Sequence, residues 1–130
     1  MSLKGEKARA LFQEGYNCAQ AVFVVFAEDY GISREAALKL SSSFGGGFGR
    51  LREVCGAVCG MAMALGLAEG NTDADGKLAH YEKVRTLIQE FSQRHGGYIC
   101  RELIATGNKQ SCADFVYSAA EILENYLNQK

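Results

Sequence analysis

Residues 53–70 read EVCGAVCGMAMALGLAEG, a stretch of glycine, alanine and apolar side chains with no proline and an acidic residue near each end. It lacks the period-two alternation of a half-buried strand, and its alanine content favours helix. The stretch therefore predicts a helix from about Glu53 to Gly66 or Gly70. Gly56 and Gly60, one turn apart, predict close contact with a neighbouring helix within the fold. Cys55 and Cys59 share this segment. Side chains four apart on a helix have Cβ atoms about 5–6 Å apart, whereas a disulfide wants about 3.5–4.5 Å, so the two are not expected to bridge.

Working outward, the same spacing of three and four between apolar residues recurs on both sides, and the chain contains no proline at all. Residues 4–14 (KGEKARALFQE) predict a first amphipathic helix stopped by Gly15. Asn17 with Gln20 has capping-box spacing and opens a second helix running to about Tyr30 and Gly31. Ser33 caps a third through about Ser42. The segment FGGGFGRLRE (44–53) is too rich in glycine for a helix and predicts a loop at 45–49. Residues 77–94 place Leu78, Tyr81, Val84, Leu87, Ile88 and Phe91 on one face, and RHGG (94–97) ends that helix with cations at its negative end. A short helix around 99–105 follows, and Ser111 with Asp114 predicts a capping box for the last helix. The expectation is an all-α single domain over residues 1–130, a compact bundle of six or seven helices with a glycine-rich loop at 45–49.

The chain has 130 residues, 48% hydrophobic and 22% charged, with a formal net charge of −1. That size and composition suit one folded domain. Scattered basic residues supply no electrostatic footprint for nucleic acid. The first residues lack the pattern of a secretory signal, and no run reaches the roughly 18 apolar residues of a membrane helix. A cytoplasmic protein without membrane insertion is expected. In a reducing compartment, the five cysteines read as thiols, metal ligands or a catalytic redox pair before structural disulfides.

Their placement narrows this. Cys18 follows the cap Asn17, Cys55 lies in the first turn after the glycine loop, Cys100 lies near the start of its short helix, and Cys112 follows Ser111. Free N–H groups at helix N-termini stabilise anions and lower thiol pKa values. Cys59, a full turn inside its helix, is read as packing. Gly45, Gly46, Gly47 and Gly56 would let backbone approach a site closely, and Arg50 and Arg52 could favour a thiolate there.

The string Cys55-Gly56-Ala57-Val58-Cys59-Gly60 fits a CGAxxG element. With Cys18 in GYNCAQAVF, Cys100 in ICREL and Cys112 in SCADFV, the chain resembles the redox-active family named from its cysteine pattern, C_GCAxxG_C_C. The resemblance covers nearly the whole chain. It implies that Cys18, Cys55, Cys100 and Cys112 are the signature residues and that Cys59 occupies a variable position. The four would work as redox thiols, or as ligands of an iron–sulfur cluster or another metal, in electron transfer or thiol exchange with an unidentified redox partner. A similar cysteine layout occurs in split-Soret cytochromes, where it accompanies an iron–sulfur centre. The chain has no C-x-x-C-H haem-attachment motif, so no haem is implied.

Competing signals are weaker. Asn71, Asp73, Asp75, Gly76, Leu78 and Glu82 fall near EF-hand positions, but Ala79 offers no ligand at position 9 and there is no second hand. Calcium at Asp73, Asp75 and Glu82 is not favoured; an interhelix loop in which Asp73 or Asp75 caps the next helix is. His80 and His95 have no ligand spacing and are read as surface residues or, for His95, as a helix C-terminal charge. Ser41–Ser43 lack the strand and Lys-Ser/Thr of a phosphate loop. The alternative to a redox protein is a non-catalytic helical binding or assembly module whose cysteines merely pack and whose small-residue faces form a homodimer.

Overall fold

The computed structural model describes residues 2–105 and 109–129. Among them the fold is all-α, with seven helices: α1 (Leu3–Gln13), α2 (Cys18–Ala27), α3 (Arg34–Ser41), α4 (Gly56–Glu69), α5 (Lys77–His95), α6 (Cys100–Ile104) and α7 (Lys109–Asn128). None is long and apolar enough to cross a membrane.

The capping chemistry sits where the sequence places it. The Asn17 N–H donates to Gln20 Oε1 and the Gln20 N–H donates to Asn17 Oδ1, at 3.1 and 2.8 Å. The same two side chains donate to the carbonyls of Ser42 and Leu38, so the cap of α2 also fastens the end of α3. Ser33 caps α3, and Gly31 (φ 81°) and Gly96 (φ 85°) end their helices in the left-handed region.

Helix α2 is the centre of the core. Ala21, Val22, Phe23, Val24 and Phe26 are buried, and α2 packs against α1, α3, α4 and α7. Its closest neighbour is α4. A Cβ on Gly60 would stand 2.7 Å from the Ala19 carbonyl and 3.0 Å from Val22 Cβ, which is the interhelical contact expected of Gly56-x-x-x-Gly60. Helix α7 contributes Phe115, Val116, Ala119, Ala120, Ile122 and Leu123 to the same core. It clasps α1 through the Tyr117 hydroxyl, which accepts from the Ser2 N–H at 2.8 Å, and through Glu124, which accepts from Ser2 Oγ at 2.6 Å.

Four local expectations change. Helix α4 starts at Gly56 rather than Glu53, because Val54 pairs with Ile99 in an isolated antiparallel bridge that holds residues 53–55 extended. Helix α7 already includes Lys109, so Ser111 lies inside its first turn and not at the N-cap position, which belongs outside the helix. On α5 only Leu87 and Phe91 are buried, while Leu78 and Tyr81 are 69% and 49% exposed. The periodic face is continuous, but only its C-terminal half meets the core. His95 does stand in the last turn of α5, but it is half-buried: its ring packs against Phe91 and Phe115 at 4.7 and 4.9 Å, and burial lowers its pKa. Before α5, Asp73 Oδ1 accepts from the Asp75 N–H and caps the short turn that leads into the helix.

Two glycines of α4 test the packing in opposite directions. Gly60→Ala should lower stability by about 1–3 kcal/mol through overpacking against Ala19. Gly66, which faces open space, should gain about 0.5–1 kcal/mol as alanine. Thermal denaturation of both variants checks the pair; equal stability of Gly60→Ala and wild type would rule out the tight contact.

Candidate functional site

Two helices begin at a cysteine, a third has one as its N-cap residue, and the fourth signature cysteine lies near the start of the last helix. Cys18 is the first residue of α2, Cys55 is the N-cap residue of α4, Cys100 is the first residue of α6, and Cys112 is the fourth residue of α7. The packing of α2 on α4 and α7 brings Cys18, Cys55 and Cys112 together. The bridge between Val54 and Ile99 adds Cys100: the Cys55 N–H donates to the Tyr98 carbonyl at 2.8 Å, and the Cys100 N–H donates to the Glu53 carbonyl. All four line one cavity of about 60 Å³. Cys59 lies outside that lining, with its thiol 3.8 Å from the Val54 carbonyl.

The cavity is closed on one side by the glycine segment, which is not an irregular loop. Gly46, Gly47, Phe48, Gly49 and Arg50 all have φ between 61° and 75°, a single turn of left-handed helix. Gly49 and Arg50 both donate to the Gly45 carbonyl, and Glu53 donates to the Gly47 carbonyl. This backbone lies tight against the thiols. A Cβ on Gly47 would stand 2.7 Å from Cys100 Cβ, and one on Gly56 would stand 3.2 Å from Cys18 Cβ. Gly46, Gly47 and Gly56 thus line the cavity. Gly45 does not; a Cβ there would collide with the Asn17 side chain, so it seats the turn on the cap of α2. The left-handed conformation costs a residue with a side chain roughly 1–2 kcal/mol, and Phe48, Arg50 and Arg52 all adopt it.

The two arginines part company. Arg50 is exposed, whereas Arg52 lines the cavity and its Nη1 donates to Cys100 Sγ at 3.8 Å. The backbone of Arg52 is pinned from both sides: its N–H donates to the Gly46 carbonyl, and its own carbonyl accepts from the N–H and Nη1 of Arg101 at 3.2 and 3.0 Å. The rest of the lining is apolar, with Leu103, Ile104 and Phe115.

The thiols are electrostatically unequal. Cys18 and Cys112 are half-buried, and their thiols interact. A hydrogen bond to Cys112 is the leading cause that raises Cys18 far above the ordinary thiol range, with burial and the nearby Cys55, Cys112 and Cys100 adding to the effect. The same bond, opposed by burial and helped by the positive charge of Arg52, brings Cys112 down to about 7. Cys55 and Cys100 are only 4% and 7% exposed. Burial pushes Cys55 up to about 12, against the pull of the Ala57 and Val58 amides. Burial also raises Cys59.

The arrangement is one partly ionised thiol, Cys112, with a protonated thiol beside it and two buried thiols behind. Among the described residues, no three His, Cys, Asp or Glu side chains stand as a group that could hold a metal ion.

A family model described as "Putative redox-active protein (C_GCAxxG_C_C)" matches residues 16–126, a span that contains all four cavity cysteines. No curated protein and no solved structure matches the chain.

Alkylation of Cys112 by iodoacetamide, followed by peptide mass spectrometry, should rise as pH increases through about 7 and level off above it. Cys18→Ala removes the hydrogen-bond partner and should move this inflection to higher pH. Arg52→Gln should move it in the same direction by less. An unchanged inflection in Arg52→Gln would remove the arginine from the electrostatics of the site.

Proposed function

The chain belongs to the C_GCAxxG_C_C family, and from that premise we propose that it is a dithiol redox protein in which Cys112 and Cys18 cycle between two thiols and one disulfide. The observation that carries this reading is the meeting of these two half-buried thiols in one shared cavity, close enough for each to shift the other's titration. One thiol is stabilised as the anion and its neighbour keeps the proton, the division of labour that a nucleophilic and a resolving cysteine need. The Cys112 thiolate attacks the oxidant, and Cys18 then attacks the Cys112 sulfur and closes the disulfide. Cys55 and Cys100, nearly closed off from solvent, complete the cavity wall and hold Arg52 and the glycine turn in register.

A second reading draws on the ligand number. Four cysteines sharing one cavity match what an iron–sulfur cluster takes, and Cys18, Cys55, Cys100 and Cys112 would hold it while the cluster carried single electrons. Dithiol chemistry takes precedence because, of the four cavity thiols, Cys18 and Cys112 are the two that remain partly open to solvent and so to an oxidant.

Oxidation of the reduced protein with diamide, followed by digestion and mass spectrometry without reductant, should give a Cys18–Cys112 disulfide before any other pair. Cys112→Ser should abolish it. Anaerobic purification that yields stoichiometric iron with visible absorbance bands, both lost in Cys55→Ser, would replace the dithiol reading with the cluster.

A further inference from the structure

We infer that the oxidant this site accepts is a small hydroperoxide of hydrogen peroxide size, not the disulfide of a protein or peptide; the inference rests on the dithiol reading above. Three observations about the cavity carry it.

The first is size. The cavity is about 60 Å³, well below the ~150 Å³ that accommodates benzene in an apolar protein interior. Hydrogen peroxide has two heavy atoms and fits this space. A cystine unit brings two sulfurs, two methylenes and two backbones to the attacking sulfur, while Cys112 is half-buried and its partner Cys18 lies against the Gly56 backbone.

The second is the position of a cation. Arg52 lines the same cavity as Cys112, with its Nη1 on Cys100 Sγ. Breaking an O–O bond places negative charge on the departing oxygen, and a fixed guanidinium supplies charge-assisted donors to it. The backbone that carries Arg52 is held by Gly46 and Arg101, and the guanidinium itself donates through Nη1 to Cys100 Sγ. The third is the apolar part of the described wall, Leu103, Ile104 and Phe115, beside which the charge of Arg52 is less screened than in water.

The step balances. The Cys112 thiolate forms an S–O bond with one peroxide oxygen as the O–O bond breaks. The other oxygen leaves as hydroxide and takes a proton from solvent to become water. Cys18 attacks the resulting sulfenic acid, an S–S bond forms, and the second oxygen leaves as water with the Cys18 proton. Two thiols have lost two electrons and one peroxide has gained them. An external dithiol returns the protein to the reduced state.

The test uses the reduced wild-type protein in anaerobic stopped-flow with three oxidants: hydrogen peroxide, cumene hydroperoxide and oxidised insulin-derived peptide. Hydrogen peroxide should form the Cys18–Cys112 disulfide at least ~100-fold faster than it oxidises free cysteine at the same pH, the scale of one preorganised donor. Cumene hydroperoxide should be slower by about tenfold or more, as expected of a cavity below the benzene-sized limit. In Cys18→Ser, dimedone should label Cys112 after peroxide treatment. A peroxide rate no better than that of free cysteine, with rapid oxidation by the peptide disulfide, would overturn this inference and leave the dithiol reading standing. Cumene hydroperoxide matching hydrogen peroxide would overturn the size argument and with it the inference. Failure of all three oxidants to form the disulfide would overturn both readings.

Discussion

The approach of α4 to α2 sets the geometry on which the rest depends. Gly60 has no room for a side chain against the Ala19 carbonyl, and Gly56 has little against Cys18 and the Phe44 carbonyl. These contacts bring the start of α4 onto the start of α2, so Cys55 and Cys18 meet at one end of the helix pair. The packing of α7 on α2 and α4 then delivers Cys112. Helix N-termini point free N–H groups and partial positive charge toward this region, which suits a site where sulfur anions form. The core and the site share one cause: small residues where two helices cross.

The left-handed turn works in the opposite energetic sense. Phe48, Arg50 and Arg52 stay in a conformation that side chains disfavour because the surrounding hydrogen bonds to Gly45, Gly46 and Gly47 over-determine it. Unfavourable local backbone that survives through many contacts is often found at functional sites. Here it turns Arg52 inward and leaves Arg50 in solvent, although the two are separated by a single residue.

Much of this architecture was legible in the sequence because its causes are local. Asn17 and Gln20, Ser33, Gly31 and Gly96 mark helix ends through chemistry confined to a few neighbours, and Gly56 with Gly60 marks a helix crossing through size alone. The convergence of four cysteines was expected from the resemblance and from their places at helix starts. The unread features depend on partners far away in the chain. Nothing near Val54 signals pairing with Ile99, and nothing near Arg52 distinguishes it from Arg50, because the distinction is made by Arg101 and Gly46. The face of α5 was readable, but where the core beneath it ends was not, since that limit belongs to α4 and α7. The division of charge between Cys18 and Cys112 likewise needs a contact that spans most of the chain.

The single bridge between Val54 and Ile99 makes everything between them a closed excursion, with α4 and α5 leaving the site and the chain returning to it. Length changes at the exposed connection between those helices can be absorbed without disturbing either end. A one-residue insertion between Tyr98 and Cys100 cannot, because the Cys55 N–H pairs with the Tyr98 carbonyl and the Cys100 N–H with the Glu53 carbonyl, and an added residue in this extended pairing would turn Cys100 away from its companions. Natural variation in this chain should therefore concentrate in the segment after Gly70, while the count from Tyr98 to Cys100 stays fixed.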